Sequence, residues 1–141
     1  MVKPVRIGIL VPNDTVHAFE AKNIEDIVGD ERLQLVAVLR FMGDQGVKPQ
    51  GFLWGKWATK FLYPKMRAHI PQTLEDILGK YEKIPIQFNK EGKFSYYATD
   101  ESLATVKSLN LDVILSCQYR IIRGDFLNVP KEGIWSFHAD D

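Results

Sequence analysis

The residues best suited to chemistry lie in the run 134–141. Ser136 and His138 are two positions apart in a strand-like Ile-Trp-Ser-Phe-His segment, so a strand would place the hydroxyl and the imidazole on the same side. Two carboxylates, Asp140 and Asp141, follow directly. Because open α/β folds place active sites where strands end, the pattern predicts that His138 acts as a general acid/base, oriented by Ser136 or a carboxylate.

His138 has a second interpretation, as a histidine that only forms hydrogen bonds at the end of a strand. Both interpretations stay open on the residue types alone. A site at this position also needs a second side. We expect that side either from residues earlier in the sequence or from a longer protein of which these 141 residues are a fragment.

The remaining histidines and the cysteine offer less. His17 is expected in the first turn of a helix as a surface residue, and His69 has no partner at ligand spacing, so no structural zinc site is predicted. Cys117 follows an apolar run and is expected to be a small buried hydrophobic residue rather than a nucleophile.

The elements that must position His138 alternate between strand-like and helix-like patterns. Val5–Val11 and residues 33–39 are almost continuous apolar runs, typical of strands covered on both faces. Apolar residues recur at helical spacing over 16–28, before a stop at Gly29. A strand, a helix and a strand of these lengths predict a parallel, right-handed βαβ unit.

A second unit follows later in the sequence. Thr99 is predicted to cap a helix that carries apolar residues at 103, 106 and 109, and residues 111–117 form a second central strand pattern. The strand 134–138 comes last. Together the two units predict an open, mostly parallel α/β sheet with helices on both faces.

The middle of the sequence is less regular. Residues 74–78 predict a short helix, and residues 84–86 and 94–97 predict two short strands, with Pro85 placing the first at a sheet edge. Aromatic and apolar residues at helical spacing over 54–62 predict an amphipathic helix. That helix either packs on the sheet or, through Lys56 and Lys60, holds an anionic ligand.

The turn after the first strand, residues 11–15, lacks the glycines of a dinucleotide-binding loop. Without them the backbone cannot approach a pyrophosphate, so NAD and FAD are not expected. Asn13 or Asp14 either caps the following helix or helps it to bind a smaller anion.

The composition is that of an ordinary folded domain, with 45% hydrophobic and 26% charged residues. Lys plus Arg and Asp plus Glu are both 18, so no general attraction to nucleic acid or anionic membrane is expected. The single cysteine excludes an intrachain disulfide. No apolar run approaches the roughly 20 residues that span a bilayer. We therefore expect a soluble, cytoplasmic protein.

Residues 111–140 resemble the amino-terminal catalytic domain of the folate-dependent formyltransferases, which act on methionyl-tRNA, glycinamide ribonucleotide or sugars. The resemblance rests on a hydrophobic strand followed by Tyr119, Arg120, Ile121 and Ile122, then a Phe-Leu and Pro-to-Gly connection at 126–133. It ends in a Ser-Phe-His strand where the family has Asn-x-His. The resemblance implies a Rossmann-like, formyltransferase-like fold that these residues leave incomplete.

The resemblance also implies a reaction, formyl transfer from 10-formyltetrahydrofolate to an amine. His138 would serve as acid/base and oxyanion partner, and Ser136 would stand in place of the family's Asn. Main-chain groups of Arg120, Ile121 and Ile122, with Tyr119 beside them, would hold the pterin. The family's aspartate has no identifiable counterpart here, so we expect little or no activity from these 141 residues alone.

Partners follow from the same comparison. We expect a small-molecule amine acceptor and no membrane binding. The chain has no net charge, so nucleic acid is not expected as a partner, although tRNA is not excluded. The exposed edge of the last strand predicts a homo-oligomer or a missing second half. The alternative is a non-catalytic α/β module that binds a small molecule or nucleotide, and a third possibility is an interaction domain that uses the 54–62 helix.

Overall fold

The computed structural model describes residues 2–12, 15–43, 71–73, 75–118 and 120–136. Within these ranges the chain forms nine strands, three α-helices and one 3-10 helix. The strands are β1 (Val5–Val11), β2 (Thr15–His17), β3 (Leu33–Met42), β4 (Pro71–Thr73), β5 (Lys83–Glu91), β6 (Ser95–Ala98), β7 (Val113–Ser116), β8 (Ile121–Arg123) and β9 (Ile134–Ser136). The helices are α1 (Ala18–Val28), α2 (Glu75–Leu78), α3 (Asp100–Ser108) and the 3-10 helix (Gly124–Asn128).

Seven strands form one sheet in the order β8-β6-β5-β3-β1-β7-β9. Only the β5–β6 pair is antiparallel, and the other five pairs are parallel. The prediction of an open, mostly parallel α/β sheet is therefore confirmed, and the β1–β3 pairing is parallel as expected. Strands β2 and β4 form a separate antiparallel pair.

Helices cover both faces of this sheet because apolar side chains point both ways along its central strands. Ile7 and Ile9 of β1 pack with Ala21 and Ile24 of α1 on one face. Leu10 and residues of β3 and β7 pack with α3 on the other face, through Leu103 and Val106. The near-continuous apolar pattern of Val5–Val11 thus reflects burial on two sides.

The sheet curls at β5, whose two halves have different partners. Lys83 to Gln87 pairs with β3, whereas Phe88 to Glu91 pairs with β6. Pro85 lies in the first half, opposite Arg40, where the strand has no β6 neighbour. Pro85 therefore lies at a sheet edge as predicted, but only the first half of β5 has a free side, and the strand as a whole lies inside the sheet.

Aromatic rings fill the inside of the curl. Phe41 of β3 stacks on Phe88 of β5 with centroids 4.4 Å apart, and Tyr96 of β6 meets Phe41 edge-on at 5.4 Å. Phe126 of the 3-10 helix meets Phe88 edge-on at 5.2 Å. These four rings join strands from both arms of the curled sheet in one core.

Several boundaries differ from the sequence predictions. The helix predicted over 16–28 begins only at Ala18, so placing Val16 and His17 in a helix was wrong; they lie in β2, because Thr15–His17 pairs with β4. Thr99 does cap α3, where its hydroxyl accepts from the Ser102 N–H. The short helix predicted at 74–78 is found as Glu75–Leu78, and the strands predicted at 84–86 and 94–97 are found as β5 and β6. Strand β5 is longer than predicted and continues to Glu91. The 54–62 helix lies outside the described residues.

Phe126 tests the curled core. Phe126→Ala removes a fully buried ring that contacts Phe88, so we expect the free energy of unfolding to fall by about 3–5 kcal/mol. Its neighbour Leu127 is 41% exposed, and Leu127→Ala should cost only roughly 0.5 kcal/mol. Urea unfolding of both variants measures the difference, and equal losses would contradict the described packing.

Asp30 gives the fold a specific acid response. Its carboxylate accepts from the Arg32 side chain at 2.6 and 3.0 Å and from the Arg32 N–H, which lowers the Asp30 pKa from 3.8 to about 2. A lowered folded-state pKa stabilises the fold above about pH 4, and this stabilisation disappears as the pH falls through 2.

We expect Asp30→Asn to be less stable than the wild type at neutral pH and to converge with it between pH 4 and 2, measured by urea unfolding at each pH. Asp26→Asn is the control, since Asp26 makes one exposed 3.4 Å contact with Lys22. A wild-type advantage over Asp30→Asn that persists undiminished at pH 2 would contradict the assignment.

Candidate functional site at the carboxyl edge

The strand order reverses between β1 and β7. From β1 the chain builds outward through β3 and β5, then returns to add β7 and β9 on the other side. In open α/β sheets, ligands bind outside the carboxyl ends of strands at such a reversal. Here β1 and β7 are joined at that end by the Cys117 N–H, which donates to the Leu10 carbonyl oxygen at 2.8 Å.

Two serines lie side by side at the edge of the sheet where its parallel central strands end, which we call the carboxyl edge. Ser116 ends β7 and Ser136 ends β9, and the two residues are register partners in neighbouring parallel strands. Partners in register direct their side chains to the same face of a sheet. Ser116 is buried and Ser136 is exposed, so the pair runs from the interior toward the surface. His138 lies outside the described residues.

Gln118 follows β7 and forms a compact bonded turn. Its Oε1 accepts from the Arg120 N–H at 2.6 Å, and its Nε2 donates to the Arg120 carbonyl oxygen at 2.9 Å. The same Nε2 donates to the Ser116 hydroxyl at 3.3 Å. One carboxamide thus holds both main-chain groups of Arg120 and ties them to the serine pair.

Arg120 extends the site onto the aromatic core. Its guanidinium lies 4.7 Å from the centroid of the Phe41 ring and 6.0 Å from that of Tyr96. Guanidinium stacking on an aromatic face is favourable, more so when partly shielded from water. The described residues Cys117, Gln118 and Arg120 therefore form a segment that leads from β7, past Phe41 of β3, toward β8. We call it the crossing segment.

The other residues predicted for the cofactor lie on β8. Ile121 is 48% exposed, and Ile122 packs partly buried against the curled core. Strands β8 and β9 stand at opposite ends of the strand order, so the sheet itself does not bring Ile121 and Ile122 beside Ser136. Arg120 lies between the two groups along the crossing segment. Tyr119 lies outside the described residues.

Sequence reasoning missed two polar residues near this edge, Glu20 and Gln118. Glu20 is buried in the first turn of α1, and its carboxylate helps to raise the pKa of the Cys117 thiol. Glu20, Ile24 and Ile27 share helical spacing, and a charge on that apolar stripe was the available signal. The sequence contains no comparable signal for Gln118, because its hydrogen bonds to Ser116 and Arg120 depend on the turn that the chain makes after β7.

Cys117 is buried as expected, and its chemistry follows from its surroundings. Burial first, and then the Glu20 carboxylate, raise the pKa of the thiol far above its usual range. A thiol that keeps its proton is a poor nucleophile. Cys117 therefore supports the crossing segment through packing and does not act as a reactive group.

The opposite edge of the sheet carries an open depression of about 450 Å³, bordered by Lys3, Arg6 and Asn110 among others. The Arg6 side chain donates to the carbonyl oxygens of Leu109 and Asn110 at 2.8 and 3.0 Å. This arginine thus completes the carboxyl end of α3. Because Arg6 is committed to these two carbonyl groups, it acts here as a structural contact of α3.

Metal and membrane features are absent from the part of the chain that the structure describes. No three His, Cys, Asp or Glu side chains there lie close enough together to hold a metal ion. No helix in the same ranges has the length and apolar character needed to cross a membrane. Comparison with models of known protein families finds no match, and comparison with curated proteins finds none either.

Thiol labelling tests the Glu20–Cys117 contact. At pH 8, we expect iodoacetamide to alkylate Cys117 at least about tenfold more slowly in the native chain than in urea. Glu20→Gln should accelerate native labelling, because it removes the negative charge that raises the pKa of the Cys117 thiol. Mass spectrometry follows the reaction, and equal rates in the native and unfolded chains would contradict the burial of this thiol.

Proposed function

We propose that this chain forms one side of a folate-dependent formyl-transfer site, in a Rossmann-like domain of the formyltransferase type. The observation that carries the proposal is the meeting of β7 and β9 at the Ser116–Ser136 pair. Ser136 ends β9 at the edge where ligands bind in open α/β sheets, and His138 follows it two positions later in the sequence. The resemblance of residues 111–140 to the formyltransferases supplies the chemistry.

In this proposal the formyl carbon of 10-formyltetrahydrofolate is attacked by an amine. The new N–C bond forms, the bond from the formyl carbon to N10 breaks, and a proton passes from the amine to N10. His138 accepts and returns that proton, while its imidazole and the Ser136 hydroxyl donate to the oxyanion of the tetrahedral intermediate. A serine hydroxyl reaches less far than the family's Asn amide, so its contact with the oxyanion is weaker.

The pterin has a place along the crossing segment and β8. Resemblance assigns it to main-chain groups of Arg120, Ile121 and Ile122. The aromatic rings of Phe41 and Tyr96 are buried beneath the Arg120 guanidinium and hold this residue in place. The hydrogen-bonding edges of a planar heterocycle suit the polar main-chain groups that Arg120 presents there.

The amine acceptor in this proposal is a small molecule in the cytoplasm, such as a sugar nucleotide. The equal numbers of acidic and basic residues argue weakly against tRNA. Strand β9 stands at the end of the described strand order, where a second copy of the chain or further strands of a longer protein would pair.

Calorimetric titration with a reduced folate tests the proposal. We expect the purified chain to bind 5-formyltetrahydrofolate, a stable compound with the same pterin ring, saturably and with one site. We also expect little or no formyl transfer from 10-formyltetrahydrofolate by the 141 residues alone. Absence of saturable folate binding would contradict the proposal, and turnover that His138→Ala abolishes would contradict the expected inactivity.

A binding module without catalysis is the alternative, and Glu20 bears on its ligand. A phosphate at the amino end of α1 would lie near a buried carboxylate, which repels it. A nucleotide is therefore the weaker ligand for this edge. Saturable ATP binding without folate binding in the same titration would favour the alternative.

A further inference from the structure

Gln118 carries a feature that the proposed function does not use. Its carboxamide pairs with the N–H and the carbonyl oxygen of a single residue, Arg120, at 2.6 and 2.9 Å. A carboxamide offers one acceptor and one donor side by side. The lactam edge of a pterin, a ring carbonyl next to a ring N–H, offers the same pair in the same plane.

Resting on the proposed function, we infer that Gln118 is an internal placeholder for the lactam edge of the folate. In the structure its carboxamide occupies the Arg120 main-chain pair. The Arg120 N–H has one hydrogen to donate, and that hydrogen is committed to Gln118 Oε1. A pterin that pairs with Arg120 in the lactam fashion must therefore displace the Gln118 side chain.

The local structure allows this exchange without a rearrangement of the sheet. Both bonds to Arg120 span two positions along the chain, and the third bond, to the Ser116 hydroxyl, is the longest at 3.3 Å. Gln118 can therefore swing away without a change in the sheet. The Arg120 guanidinium is held independently by its stacking on Phe41, so the recognition surface stays in place when Gln118 leaves.

The Gln118 side chain also satisfies the Arg120 N–H and carbonyl oxygen when no ligand is bound. The Gln118–Arg120 bonds are partly buried, and a partly buried N–H or carbonyl without a partner costs free energy. Gln118 supplies the missing partner. Its displacement reduces folate affinity by the net strength of two hydrogen bonds, which corresponds to roughly tenfold in the dissociation constant.

Gln118→Ala tests this inference by calorimetry with 5-formyltetrahydrofolate. We expect the variant to bind roughly tenfold more tightly than the wild type, because no internal bonds compete with the ligand. Gln87→Ala is the matched control. It removes a carboxamide that donates to the Phe88 carbonyl oxygen on β5 at 3.3 Å, and it should leave the affinity unchanged.

Gln118→Met guards against misfolding of the alanine variant. It keeps approximately the size of the side chain, but a thioether has no donor and is only a weak acceptor, so its binding should also be tighter than that of the wild type. Wild-type binding with equal or weaker binding by both variants overturns the placeholder and leaves the proposed function intact. Absence of folate binding by every form overturns both.

Discussion

The connection from β7 to β8 is too short to cross a flat sheet, and this constraint shapes the molecule. Five steps along the chain separate Ser116 from Ile121 and span at most about 18 Å. In the strand order, β7 and β8 are five spacings apart, roughly 24 Å in a flat sheet. The sheet must therefore curl, and β5 provides the bend by changing partner between Gln87 and Phe88.

The curl determines the position of the candidate site. It brings Tyr96 of one arm against Phe41 of the other, and the crossing segment closes over them at the carboxyl edge. Arg120 then joins the aromatic core, while Gln118 joins Arg120 to the serine pair. A single short connection thus brings polar main-chain groups and two serine hydroxyls to one edge, above a buried aromatic core.

The sequence predicts those parts of the fold that depend on nearby residues. The apolar run Val5–Val11 predicted a strand because that strand is buried on both faces, and Thr99 predicted the start of α3 because it caps that helix. The curl was not predictable, because it depends on the pairing of Ser95 with Ile121, which local periodicity does not encode. In the site, alternation placed Ser136 on a strand, but the bonds of Gln118 depend on the course of the crossing segment.

Ligand binding at the crossing segment is the central property proposed for this chain, and amide chemical shifts test it most directly. Titration of the labelled chain with 5-formyltetrahydrofolate should perturb the amides of Gln118, Arg120, Ile121 and Ile122. The amides of Arg6 and Asn110, at the opposite edge, should stay unchanged. Perturbation centred on the Arg6 edge, with an unaffected crossing segment, would contradict the account.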